Sequence, residues 1–199
     1  MEEILATVRA FCAGEVAAAE FRARLYSDQR FEAFLNSDPS LRPDNYVKGS
    51  IYQFLLQLDF DDPRDIVNAQ GALAQYMDRN GIAYVKTDRY AKFNDLIAKA
   101  QPSWLDVDLK YIQEKMLPDA GARSGTELRD WLQGEFRTRF RCVKKPPKWI
   151  QCPAWPIGAN GPLVFLGQVE VKDYFHDSAA VYVFHDPATG ACETVVQVY

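Results

Sequence analysis

A change of period near residue 139 constrains this chain more than any other feature. Up to Arg139 apolar residues recur at three- and four-residue intervals. From Phe140 onward they fall in short β-branched and aromatic runs punctuated by proline and glycine. The first pattern belongs to amphipathic helices and the second to strands that turn back often. The chain is therefore expected to be α+β: a helical region over 1–139, packed with a β-rich region over 140–199 carrying a mostly antiparallel sheet, in one compact unit.

Within the helical region, Ile4, Leu5, Val8, Phe11 and Cys12 form one stripe, and Gly14 separates it from a second through Val16, Ala19, Phe21 and Leu25. A short helix over Gln29–Leu35 runs into a loop over residues 36–46. Ile51–Leu58 reads as a buried helix. Asp62 and Pro63 are a good N-cap and first position for the next, with Asp65 near the positive end of its dipole and Asn80-Gly81 as its stop. Further helices are predicted over Asp88–Lys99, over Trp104–Met116, and after a capping box at Ser124-Gly-Thr-Glu127.

In the β-rich region, strands are predicted over Phe140–Val143, Lys148–Gln151, Leu163–Val171, Ala180–His185 and Thr194–Tyr199. Asp186-Pro-Ala-Thr-Gly190 is a hairpin turn joining two of the three strands of the final sheet.

Composition narrows the function classes. The first residues carry Glu2 and Glu3 where a secretory leader carries positive charge, and no uninterrupted apolar run approaches a membrane span. A soluble, cytoplasmic protein is expected. Cys12, Cys142, Cys152 and Cys192 include no C-x-x-C pair, and with only two histidines in the chain they are read as reduced thiols. The net charge of −4 is uneven: residues 136–148 carry six basic side chains and no acid, between acidic flanks. Such a surface disfavours nucleic-acid binding, which depends on neutralising phosphates, and suits a basic protein partner.

Four constellations are candidates for chemistry or contact. His176 and His185 each precede an aspartate, but adjacent strand residues face opposite ways and no nucleophile, phosphate-loop or metal-ligand motif accompanies them. The acidic run Asp59, Asp61, Asp62 and Asp65 reads as capping and solvation, as a contact surface for a basic partner, or as an incomplete cation loop. The basic band Arg137, Arg139, Arg141, Lys144, Lys145 and Lys148 reads as pairing with the acidic helical region, as a partner contact, or as a short nucleic-acid stripe. Trp149 and Trp155, in a proline-rich stretch, read as lids over the sheet or as anchors for a partner.

Trp149-Ile-Gln-Cys-Pro-Ala-Trp-Pro-Ile157, Asn160-Gly-Pro-Leu-Val-Phe-Leu-Gly-Gln168, Ala179-Ala-Val-Tyr-Val-Phe-His-Asp-Pro187 and Gln197-Val-Tyr199 together resemble the C-terminal module of small bacterial immunity proteins, encoded beside polymorphic toxins of contact-dependent or secretion systems. The resemblance covers about the last fifty residues well and the remainder loosely. It implies a non-enzymatic inhibitor, without cofactor or metal, that binds a cognate toxin domain and occludes its active or target-binding surface; no nucleic-acid or membrane partner is expected. No family contact residue transfers to a position here. From charge and aromatic character alone, the expected contacts are Asp59, Asp61, Asp62, Asp65, Trp155, Tyr174 and Phe175. Two other readings stay open: an enzyme reversing a toxin's modification through Asp59, Asp61, Asp62 or His176, and a chaperone or adaptor for a secreted effector.

Overall fold

In a computed structural model of the chain, residues 2–36, 49–171 and 178–198 are described. The chain is α+β and divides into two compact units, Met1–Asp95 and Leu96–Tyr199. This boundary lies well before the change of period at 139. The sheet unit includes helices of its own, because a small three-stranded sheet needs an apolar layer against its inner face.

The first unit contains α1 (Glu2–Ala13), α2 (Ala18–Ser27), α3 (Arg30–Leu35), α4 (Ile51–Leu56) and α5 (Pro63–Arg79), and most of α6 (Arg89–Ala100). The predicted stripe of α1 is its buried face: Ile4, Val8, Phe11 and Cys12 lie inside. Gly14 separates α1 from α2 with φ +81°, and a β-carbon there would stand 3.1 Å from Thr87 Cγ2. Phe11 stacks on Phe21 at 4.0 Å, and Phe31 and Phe60 pack around Phe21. Buried Gln70 brings a polar side chain into this core and donates from Nε2 to the Phe11 carbonyl at 3.0 Å. The loop expected over 36–46 lies, from residue 37 onward, outside the described residues.

Cap chemistry sets several boundaries. Ser50 and Gln53 form a reciprocal capping box at α4. Asp62 caps α5 by accepting from Arg64 N at 2.8 Å, Pro63 opens the helix, and Gly81 follows its end with φ +65°. Helices expected over Trp104–Met116 and from Ser124 differ in detail. In the first stretch only α7 (Leu109–Lys115) is helical, because Asp108 caps it while Val107 N is drawn to Gln101 Oε1 at 2.7 Å. At α8 (Gly125–Arg139) Ser124 makes no side-chain cap bond; the chain enters through Gly125 at φ +55°, outside the ordinary first-turn geometry.

The second unit ends in two small β elements. A two-residue ladder joins β1 (Ile157–Gly158) to β2 (Gly161–Pro162), and β3 (Val164–Val171), β4 (Ala179–His185) and β5 (Cys192–Val198) form an antiparallel sheet in that order. The Asp186–Gly190 turn joins β4 to β5, with Gly190 N donating to Asp186 O and Asp186 accepting from Ala188 N and Thr189 Oγ1. These bonds from Ala188 and Thr189 hold the Asp186 carboxyl below its ordinary range.

Two expected strands are absent as strands. Arg141–Val143 touches β3 only through one parallel bridge, Cys142 to Phe165. Lys148–Gln151 follows a proline pair that can donate no backbone bond, and it is held by side chains instead. Gln168 clamps Lys148 through both its N–H and its carbonyl. Tyr182 Oη donates to Lys148 O and accepts from Ile150 N, while Gln197 Oε1 accepts from Ile150 N and Gln151 N and its Nε2 donates to Cys152 O.

Burial pushes the Cys12 thiol up to about 12, whereas Cys152 and Cys192 are exposed. Only the thiolate attacks alkylating reagents. Mass spectrometry after brief labelling of the native protein near pH 8 should find Cys152 and Cys192 modified and Cys12 intact until denaturant is added.

Candidate functional site

The site begins with the register of the sheet. Tyr182, Phe184 and Ala180 of β4, Phe165 of β3 and Gln197 of β5 point inward and are buried. The alternate positions point outward. Val181 of β4 lies between Val169 of β3 and Val196 of β5. Ala179 lies between Val171 and Val198, and Val183 between Gly167 and Thr194. An antiparallel sheet with one face in water normally carries polar residues on that face. This one carries valines, with Val169 63% and Val196 54% exposed.

The face extends at both ends. A bulge between Phe165 and Gly167 turns Leu166 outward, where it is 42% exposed. Beside it, Cys142 pairs with the inward Phe165, so its neighbours Arg141 and Val143 fall on the outer side, and both are exposed. Arg141, Lys144 and Lys145 place positive charge at this end. Of the basic band, Arg139 is paired with Glu135 and Asp119 at 2.8 and 2.7 Å, while Arg137, Arg141, Lys144, Lys145 and Lys148 form no ion pair with a described residue. Among the described residues, pairing with the helical region thus accounts for one of the six.

Of the expected contact residues, none of those described belongs to this sheet face. Trp155 is only 8% exposed: its indole donates to Leu163 O at 2.9 Å and its ring lies among Trp104, Phe140, Phe165 and Phe184. The structure therefore places Trp155 in the core of its unit rather than on the surface, where it offers a partner almost no area. Trp149 packs on Tyr182 and donates to Trp104 O at 2.9 Å. Both tryptophans cover the inner side of the sheet. Tyr174 and Phe175, with His176, lie outside the described residues.

In the acidic run, every carboxylate has a local task. Asp59 Oδ1 accepts from Asp61 N at 2.9 Å, Asp65 Oδ2 accepts from Asp59 N at 2.9 Å, and Asp61 pairs with Arg22 at 2.9 Å. Asp62 caps α5 and holds Arg64 at 2.7 Å; the bonds from Arg64 keep its carboxyl below the ordinary range. Among the described residues no group of three acidic, histidine or cysteine side chains is placed to hold a metal. Replacing Asp62 with alanine should cost about 1 kcal/mol at neutral pH. A carboxyl depressed in the fold stabilises above its unfolded pKa and ceases to do so as pH falls through its folded pKa. In urea titrations the gap between wild type and Asp62→Ala should therefore close as pH is lowered into the acid range.

The sheet also sets His185 opposite Cys192 across β4 and β5. A nucleophile and a base by residue type thus become neighbours without a hydrogen bond between them, a juxtaposition that follows only from register. The signal for the valine face was in the sequence: Ala179-Ala-Val-Tyr-Val-Phe184 is apolar at both parities, which marks a strand with two apolar faces.

No protein-family model matches the chain, and no curated protein or solved structure matches it. Among the described residues no helix is long and apolar enough to cross a membrane.

Proposed function

We propose that this chain is an immunity protein: it binds a toxin domain of the kind delivered by contact-dependent or secretion systems and neutralises it in the cytoplasm by covering its active or target-binding surface. The observation that carries the binding role is the outer face of the β3–β4–β5 sheet, an apolar surface of Leu166, Val169, Val181, Val196 and Val198 with positive charge at one end. Contiguous exposed apolar surface on a folded domain costs solubility and marks contact sites. The resemblance of residues 149–199 to immunity modules supports the kind of partner. Because the acidic turn is engaged within its own unit, the partner's matching surface is read as apolar with acidic flanks, so that Arg141, Lys144 and Lys145 steer its approach. Occlusion of this kind asks no catalytic group of the chain.

The test is co-expression with the product of the neighbouring open reading frame, reading growth rescue and co-purification. Wild type is expected to do both, and Val169→Glu, which sets a charge in the middle of β3's outer face, is expected to lose both while keeping its circular dichroism spectrum. A wild-type chain that neither binds nor rescues would overturn the reading. Rescue and binding unchanged by Val169→Glu would remove this face from it.

A further inference from the structure

The two edges of the sheet differ. Along β3, Phe165 exchanges backbone bonds with Arg141 and Val143, and Gln168 holds Lys148, so that edge is covered. Along β5, among the described residues, the strand's own backbone bonds outside β4 only at its end, where the side-chain amide of Gln151 reaches Val198 O; the segment 150–152 is otherwise held by the inward side chain of Gln197. Proteins guard such edges with lysine, proline, a bulge or a covering element. Over Cys192–Val198 there is no lysine or proline, the pairing with β4 runs without a register shift, and Glu193 is the one charge.

We propose that β5 pairs antiparallel with β5 of a second copy of this chain, about a two-fold axis at Val195, to make a continuous six-stranded sheet. The strand is complementary to itself in antiparallel pairing. With Val195 on the axis, Glu193 stands opposite Gln197 of the other copy, Thr194 opposite Val196, and Cys192 opposite Val198. The charge-bearing position thus meets a neutral amide, whereas an axis at Glu193 would set two carboxylates face to face. Opposed like charges destabilise a strand pair, so charge excludes the axis at Glu193 and is compatible with the one at Val195. This same arrangement carries the valine face across the axis: Val196 and Val198 of each copy, exposed at the edge in isolation, gain neighbours on the outer side. An isologous two-fold contact of this type closes on itself and leaves no further edge at β5.

A β5 dimer needs no partner other than the chain itself, so it stands apart from toxin binding. Sedimentation velocity across the micromolar range should show a dimer for wild type and a monomer for Val196→Lys, which puts an edge-blocking charge on the strand. A melting temperature for the low-concentration monomer of Val196→Lys near that of wild type would show that folding is intact. In a Cys152→Ser, Cys192→Ser background, Val195→Cys sets two thiols opposite one another at the axis, and oxidation should yield a cross-linked dimer on non-reducing gels. A wild type that stays monomeric throughout, a dimer that survives Val196→Lys, or a dimer that fails to cross-link through Val195→Cys would each overturn the proposal. Loss of toxin binding by Val169→Glu with the dimer retained would separate the two readings.

Discussion

Truncating Trp155 to alanine is expected to destabilise the Leu96–Tyr199 unit by about 3–5 kcal/mol, the usual cost of removing a buried indole. Four aromatic rings lose their common neighbour: Trp104 at 5.4 Å, Phe184 at 5.2 Å, Phe140 at 5.7 Å and Phe165 at 6.2 Å. The Leu163 carbonyl also loses its donor at the start of β3. Near-UV circular dichroism in a urea titration measures the effect. Trp155→Phe, which keeps ring packing but not the N–H, should recover more than half of it. An effect under about 1 kcal/mol for the alanine variant would be the size of an ordinary surface change and would mean that this aromatic cluster does not hold the unit together.

Gln197→Leu should be nearly as damaging although it conserves volume and adds apolar surface. The Gln197 amide is buried and serves three backbone groups of an irregular segment: Ile150 N, Gln151 N and Cys152 O. Ile150 N retains Tyr182 Oη, but Gln151 N and Cys152 O lose this partner. Gln151 and Cys152 are exposed, so water takes over part of what is lost; at about 0.5–1.5 kcal/mol net for each of the three hydrogen bonds, the loss is about 2–4 kcal/mol. Hydrogen exchange offers a local readout: the Gln151 amide should exchange much faster in the variant, while amides of α5 in the other unit should keep their wild-type rates. Unchanged protection at Gln151 would place the segment's anchorage elsewhere.

Where local chemistry decides the structure, the sequence reading and the structure agree. Asp62-Pro63 and Asn80-Gly81 delimit α5 because a capping carboxylate, a pre-set φ and a left-handed glycine act within a few residues. Ser124-Gly-Thr-Glu127 has the right spacing and no box, since one positive φ at Gly125 moves the hydroxyl out of line. Lys148–Gln151 has strand composition, yet its backbone bonds go to side chains that come from β3, β4 and β5, and no periodicity within the segment could announce partners 20 to 47 residues away. The candidate site was less legible. Charge and aromatic content pointed to the Asp59–Asp65 turn and to Trp155, which the fold uses for capping and for core. The valine face depends on which parity of three strands turns outward, and a one-residue change in register would have hidden it.

The division of the chain into Met1–Asp95 and Leu96–Tyr199 has a spectroscopic consequence. All four tryptophans, at 104, 131, 149 and 155, belong to the second unit. Intrinsic emission excited at the red edge of indole absorption therefore reports one half of the molecule and is blind to the other, as though the chain carried a built-in label. Helical ellipticity draws on both halves, since α7 and α8 lie in the second, but α1 to α5 weight it towards the half without tryptophan. Superposing the two denaturation curves would show whether the units unfold in one transition or in two, without any added dye or engineered probe.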